Sequence, residues 1–317
     1  MPMMLLLLGE MTALAYIGMM AKLAALFGIA TILFPELAAL AYDVFTRPKG
    51  VWARAVVLLV VTPTLTAVLG IVLERFLGYE FLSVFLCVLL SMVVISSLKS
   101  PVAPAISAGL LPLVLNERAW VYPASVLLGT ALLALGLLLF RRALRPFIAE
   151  IPETVRDADD VVEELPRHQR IWLPFFMLFL LGDFLLVRLT GSRYVLYPPL
   201  VVIAYEMFAH SEVCPWAPRP GAMVLACTLM AAWGVMLVDL WGINVVTAIL
   251  VMAMAMGVIR WMKLHAPPAA SVGLLPFVIA HPDIRFPVGV AVGTIFMSIS
   301  FSFFQFVRKG LIIRSYG

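Results

Sequence analysis

The stretches PVAPAISAGLLP, Pro101 to Pro112, and HAPPAASVGLLP, His265 to Pro276, decide how this chain is read. Both lie where an apolar helix should run on. Both break it instead with prolines, follow with small residues and close on Leu-Leu-Pro. The surrounding chain is 63% hydrophobic and 13% charged, with a mean hydropathy of +1.07. A soluble domain is roughly half apolar and about a quarter charged. The fold class is therefore an all-α polytopic membrane protein, in which every backbone polar group at depth needs a partner in protein or in a wet cavity.

The two stretches belong to a longer correspondence. Shifted by 164 residues, Gly70 meets Gly234, Gly78 meets Gly242, Lys99 meets Lys263 and Pro123 meets Pro287. Pro104, Ala105, Ser107, Gly109 and Pro112 meet Pro268, Ala269, Ser271, Gly273 and Pro276. Upstream the register slips by one, and LFPELAALAYDVF (33–45) matches LYPPLVVIAYEMF (196–208). Gly9-Glu10 resembles Gly182-Asp183 more weakly. A fixed offset of this kind marks an internal duplication. It predicts two homologous membrane halves, 1–145 and 171–317, joined by a hydrophilic cytoplasmic linker, 146–170, with a short helix over 152–164.

Each half offers six apolar segments. The first, third, fourth and sixth reach the roughly 20 residues that a spanning helix needs. The second and fifth (29–45, 102–115, 194–208 and 266–280) are shorter and carry prolines near their starts. If all six cross, 16 of the 22 Lys and Arg fall on the side of the linker and 6 on the other. Cytoplasmic loops favour such residues, so twelve crossings with both termini cytoplasmic are expected, in a bacterial inner membrane. The competing reading is four spans and two re-entrant loops per half. The N-terminus has no positive region or cleavage site and reads as a retained first span.

Proline is well placed in a first helical turn, where its missing N–H costs nothing. Pro35, Pro104, Pro198-Pro199 and Pro268 are therefore expected to start half-helices deep in the bilayer. The second segment enters from one side and the fifth from the other, so their N-termini would face each other near the midplane. PELAALAYDVFTRPKGVWARAVVLL (35–59) and PAISAGLLPLVLNERAWVYPASVLL (104–128) share a plan that supports such inversion. Opposed N-termini carry free N–H groups and partial positive charge, a cradle for an anion of the sort that inverted-repeat transporters build.

The expected substrate-binding residues are Pro35, Glu36, Lys99, Pro104, Ala105, Ser107, Pro198, Pro199, Lys263, Pro268, Ala269 and Ser271. Ser107 and Ser271 either touch the ligand or pack. Lys99 and Lys263 either draw an anion inward or snorkel to water. Glu36 either competes with an anion or carries a proton, and Pro199 in its place makes the halves unequal. Glu10 and Asp183 pair with neighbours or carry protons. Asp43 and Glu206 are expected to face loops as partners for Arg47 or Arg219. Cys87, Cys214 and Cys227 are expected as free thiols.

PPAASVGLLP followed by a FPVGVAVGT span resembles the HPP family of integral membrane proteins, named for a His-Pro-Pro stretch before small residues and Leu-Leu-Pro. The resemblance covers most of each half and makes the chain similar to a tandem duplicate. The family's histidine falls on Ala266 here and on Val102 in the first half, so no role for it carries over. Some plant members are associated with nitrite transport, which implies a small-anion substrate.

The chain is accordingly expected to be a transporter or channel for a small, nitrite-like anion. The alternative is a non-transporting membrane scaffold or accessory subunit. No nucleophile–base set or metal motif occurs, so no enzyme activity, catalytic residue, metal or cofactor is expected. The expected partners are the anion and the lipid bilayer, with room for a homo-oligomer; no basic run suited to nucleic acid occurs.

Overall fold

The computed structural model describes residues 2–150, 169–264 and 266–315. The expected linker helix at 152–164 and His265 lie outside the described residues. Helices, α and 3-10, form the whole of the secondary structure among those described. In order they are α1 (Pro2–Phe27), α2 (Glu36–Thr46), α3 (Val51–Arg54), α4 (Val56–Leu77), α5 (Phe81–Leu98), α6 (Ala105–Leu115), α7 (Val121–Ala143) and α8 (Arg145–Ala149). After the linker come α9 (Gln169–Thr190), α10 (Pro198–Ala209), α11 (Pro220–Trp241), α12 (Val245–Met262), α13 (Pro267–Ala270) and α14 (Arg285–Ser315). Short 3-10 turns at Ala30–Ile32 and Arg193–Leu196 precede α2 and α10, and one at Ser271–Phe277 follows α13.

Eight helices (α1, α4, α5, α7, α9, α11, α12 and α14) are long and apolar enough to cross a membrane. The chain is a helical membrane protein. A 22-residue helix such as α4 covers about 33 Å at 1.5 Å per residue, against a hydrocarbon core of roughly 30 Å. Their outward faces keep large apolar side chains exposed, among them Phe76, Val57, Leu139, Leu189 and Phe306. That pattern suits lipid, since hydrocarbon does not penalise exposed leucine.

The tightest contacts are made at glycine. Gly70 on α4 packs against the carbonyl of Gly109 on α6, and Gly234 on α11 against the carbonyl of Gly273. Without a side chain at these crossings the backbones meet directly, as small residues allow in membranes. Gly78 and Gly242 end α4 and α11 at φ of 65° and 72° with ψ of −165° and −179°, a positive-φ extended conformation that glycine adopts without steric cost.

Aromatic packing fills the second part. Phe208 at the end of α10 lies among Phe176, Phe179, Phe301 and Phe304, with ring centroids 5.3–6.1 Å apart. The two parts are also joined by an ion pair, Arg260 on α12 to Glu10 on α1, at 2.8 Å.

The short helices run inside this frame. Leu37 at the start of α2 lies beside Met20 and Gly129, seven residues before the end of α1, or about 10 Å in from it. At the other end of α2, the backbone carbonyl of Phe45 packs against Gly9, and the Phe45 ring meets that of Phe140 at 5.5 Å. α2 thus runs down the middle of α1 and α7. α6 does the reverse. Its lead-in is already level with Thr62, whose hydroxyl bonds Ser100 at 2.8 Å, six residues into α4. Gly109 lies beside Thr66, Cys87 and Ser91, near the middles of α4 and α5. Beyond α6, the backbone carbonyl of Arg118 accepts from Arg75 at the far end of α4, at 2.8 Å.

Candidate functional site

The four short elements are the most enclosed among the described residues. Every residue of α13 and of the Ser271–Phe277 turn is buried. In α6 only Leu115 is not, and in α10 only Ala209. They also pack across the two parts. α2 lies against α13, α6 lies against α10, and α10 touches α13. Irregular backbone at membrane depth is tolerated only in such protein-lined surroundings.

Three of the expected helix starts fall close to the prolines that suggested them. Pro35 is the N-cap of α2, Pro104 the N-cap of α6, and Pro198 the first residue of α10. The fourth differs. The helix opens one residue early, at Pro267, lasts four residues, and continues as a 3-10 turn from Ser271. Hydrogen bonds at one matched carbonyl account for the difference. In the first half the amide of Ala108 donates to the Pro104 carbonyl at 3.2 Å, the α-helical bond. In the second, the hydroxyl of Ser271 takes the Pro268 carbonyl at 2.6 Å. A serine that bonds back to its own turn competes with the helix for its acceptor.

Ser107 is free of that competition because it faces another helix. Its hydroxyl donates to Oε1 of Glu36, the first residue of α2. The first turns of α2 and α6, which enter from opposite ends, therefore meet through a side-chain contact. Glu36 is 1% exposed and Ser107 fully buried, and Oε2 of Glu36 has no hydrogen-bond partner among the described residues. Tyr122 on α7 braces the same place. Its hydroxyl donates to the Ala108 carbonyl at 2.6 Å, and its ring meets Phe34 edge-on at 6.3 Å.

The other expected site residues divide. Ala105, Pro199, Pro268 and Ala269 are buried in the short elements. Ala269 and Ser271 belong to the segment that packs on α2, and Ser271 spends its hydroxyl on Pro268. Lys99 and Lys263 lie apart from these helix starts. Both are exposed C-caps of α5 and α12 in the left-handed conformation, at φ of 49° and 51°. They turn the chain into the lead-ins of α6 and α13. An ammonium at a helix C-terminus is electrostatically favourable there.

The remaining carboxylates take several roles. Asp43 pairs with Arg47 at 2.6 Å, as the sequence led us to expect. Arg219 donates to the Met262 carbonyl at 2.8 Å. Glu10 is held by Arg260, whereas Asp183 is fully buried with neither carboxylate oxygen bonded among the described residues. These two do not occupy equivalent places. Glu10 sits seventeen residues before the end of α1 and Asp183 seven before the end of α9. The weak Gly9-Glu10 to Gly182-Asp183 match thus does not correspond to a shared position in space. Cys87, Cys214 and Cys227 are free and buried.

At the end of the bundle opposite the linker a cleft of 580 Å³ opens between the Thr190–Val195 loop and the start of α14, with Arg193 and Arg285 in its wall. Arg193 bridges the two parts. Its guanidinium stacks 4.5 Å from the Tyr79 ring and donates to the Leu113 carbonyl at 3.4 Å. Sequence reasoning missed this residue, because its partners are remote in the chain. Beside it, burial and the nearby Asp283 carboxylate push the Tyr194 hydroxyl above its ordinary range; this phenol stays neutral through physiological pH.

Compared with protein families, with characterised proteins and with solved structures, the chain matches none.

Proposed function

We propose that the chain is a transporter or channel for a small inorganic anion of the nitrite class, held at the half-helix starts inside the membrane. The observation that carries this reading is the meeting of Glu36 and Ser107. An acidic side chain of the chain's own sits where the first turns of two oppositely directed helices come together. Helix N-termini favour negative charge, and a group fixed there marks the place an anion would take. The small residues Ala105, Ala269 and Gly109 keep the backbone within reach. Pro199 in the second half leaves the matched position without a competing carboxylate.

Two homologous halves, 1–145 and 171–317 about the linker 146–170, belong to this proposal. Matched glycine crossings at Gly70–Gly109 and Gly234–Gly273 support them. So do the left-handed caps Lys99 and Lys263 and the helix-ending Gly28 and Gly191, at φ of 65° and 67°. The traverse of α2 and α6 between opposite ends of the long helices favours twelve crossings over re-entrant loops. The HPP resemblance points to the same substrate class. The distribution of basic residues supports cytoplasmic termini, and a bacterial inner membrane is the proposed location.

A membrane scaffold is the second reading, and one observation favours it: Ser107 and Ser271 have no exposed surface. Flux separates the two. With the full chain in liposomes, transport predicts saturable uptake of nitrite over nitrate, chloride and formate. It also predicts slower uptake at low ionic strength in Lys99→Ala with Lys263→Ala, because exposed cations steer anions and salt screens the effect. Uptake no faster than in empty liposomes for all four anions sinks the transport reading.

A further inference from the structure

We propose, resting on the transport reading above, that Glu36 is the coupling group of this protein. Protonated, it yields the opposed starts of α2 and α6 to an incoming anion; ionised, it occupies them itself. The chain would then move one proton with each anion.

The geometry assigns this role to Glu36 above the other deep carboxylates. Glu10 has Arg260 beside it, Asp43 has Arg47 and Glu74 has Arg118, so each has its charge met by a cation, and Glu206 lies in the last turn of α10, away from its start. Asp183 is as deeply buried and unbonded among the described residues, but it lies on the long helix α9 and takes no donor from a facing helix start. Glu36 alone sits at a helix start, takes a hydroxyl donor from the facing start, and keeps Oε2 buried and unbonded among the described residues. An ionised carboxylate at membrane depth is costly unless a cation or enough donors meet it. One hydroxyl and the residue's own backbone amide do not suffice, and a proton on Oε2 removes the charge.

The groups facing it leave the proton as the available counter-charge. From α7, Tyr122 spends its hydroxyl on Ala108. From α1, Tyr16 spends its hydroxyl on the Gly129 carbonyl at 2.8 Å, Lys22 is exposed, and Glu10 is paired. On α2 itself Asp43 sits two turns further on. Arg54 on α3 lies past the far end of α2, and Arg141 on α7 reaches the Pro48 carbonyl there. α13 and the following turn contribute no titratable side chain, and α6 contributes Ser107 alone.

The bookkeeping is one proton and one negative charge. A proton from water adds to the Glu36 carboxylate and forms an O–H bond. The anion fills the vacated place. On the opposite side the anion leaves and the proton returns to water. The second half has Pro199 at the matched position, and Asp183 there takes no donor from a facing helix start, so among the described residues Glu36 is the one site of this kind and the transfer is electroneutral.

The test uses the full chain in liposomes with an entrapped pH dye, a nitrite gradient, and empty liposomes to subtract leakage of nitrous acid. Wild type is expected to acidify the lumen as nitrite enters, and an inward proton gradient to speed uptake several-fold. In Glu36→Gln, whatever its nitrite rate, the ratio of protons to nitrite falls several-fold. An unchanged ratio in the variant, or wild-type uptake without protons, overturns the inference and leaves transport standing. No nitrite uptake by wild type overturns transport, and the inference is then decided by infrared spectroscopy of the same liposomes. A protonated-carboxyl band that disappears as pH rises, and that Glu36→Gln reduces while Asp183→Asn does not, supports proton binding at Glu36. A band unaffected by Glu36→Gln refutes it. Should Glu36→Gln fail to assemble, or show no flux, Ser107→Ala serves in the infrared arm. Loss of the donor should shift the pH at which the band disappears, and an unmoved band counts against the inference.

Discussion

Gly70→Ala and Gly234→Ala are each expected to cost about 3 kcal/mol of stability, the upper part of the range for overpacked sites. A methyl group at either position would overlap a backbone carbonyl, that of Gly109 or of Gly273. A side chain can rotate out of the way of a new methyl, but a carbonyl moves only with its helix. α6 is walled in on every side, so it has nowhere to go without disturbing the contact of Ser107 with Glu36. Gly257→Ala is the control. It lies exposed inside α12 with nothing within 4 Å of a new Cβ, and alanine there should gain up to about 1 kcal/mol from helix propensity. Thermal unfolding in detergent measures all three. A Gly70→Ala protein as stable as wild type would mean that α4 and α6 do not meet as described.

Ser107→Ala should cost about 2–3 kcal/mol, because it strips the donor from a buried carboxyl group. Removing both partners avoids that penalty, so Ser107→Ala with Glu36→Leu should recover most of the loss. The coupling energy from this double-mutant cycle is expected at about 1 kcal/mol or more. The cycle needs no transport and no ligand. Additive effects would show that the two side chains do not interact.

Much of the frame was legible in the sequence because periodicity and proline act locally. Eight apolar stretches of sufficient length became eight long helices. Pro35, Pro104 and Pro198 marked starts because proline tolerates a first turn and little else in a helix. Asp43 to Arg47 is a contact four residues apart, which a helix brings together by its own geometry.

What stayed hidden depends on partners far away in the chain. Ser107 and Glu36 are 71 residues apart, and Glu10 and Arg260 are 250 apart. Neither pairing has a local signature. The packing of α2 against α13 and of α6 against α10 joins the short helix of one part to the opposite one of the other, which no offset reveals. The 3-10 turn after α13 was missed for a finer reason. Ser107 and Ser271 occupy the same place in matched strings, yet Ser107 reaches across to Glu36 while Ser271 bonds back to Pro268, and nothing local in the two strings tells them apart. Lys99 and Lys263 stood out because they match. Their shared left-handed conformation, in which they cap helices, is invisible in a string of letters.

The central claim is that an anion binds where short helices begin inside the membrane. Bromide answers it most directly, since its anomalous scattering shows where an anion rests in a crystal. Crystals of the full chain soaked in bromide at acid pH should show a peak between the first turns of α2 and α6, or between α10 and α13. Peaks confined to the arginines of the Arg193–Arg285 cleft and the basic loops, with none among the short helices, would contradict it.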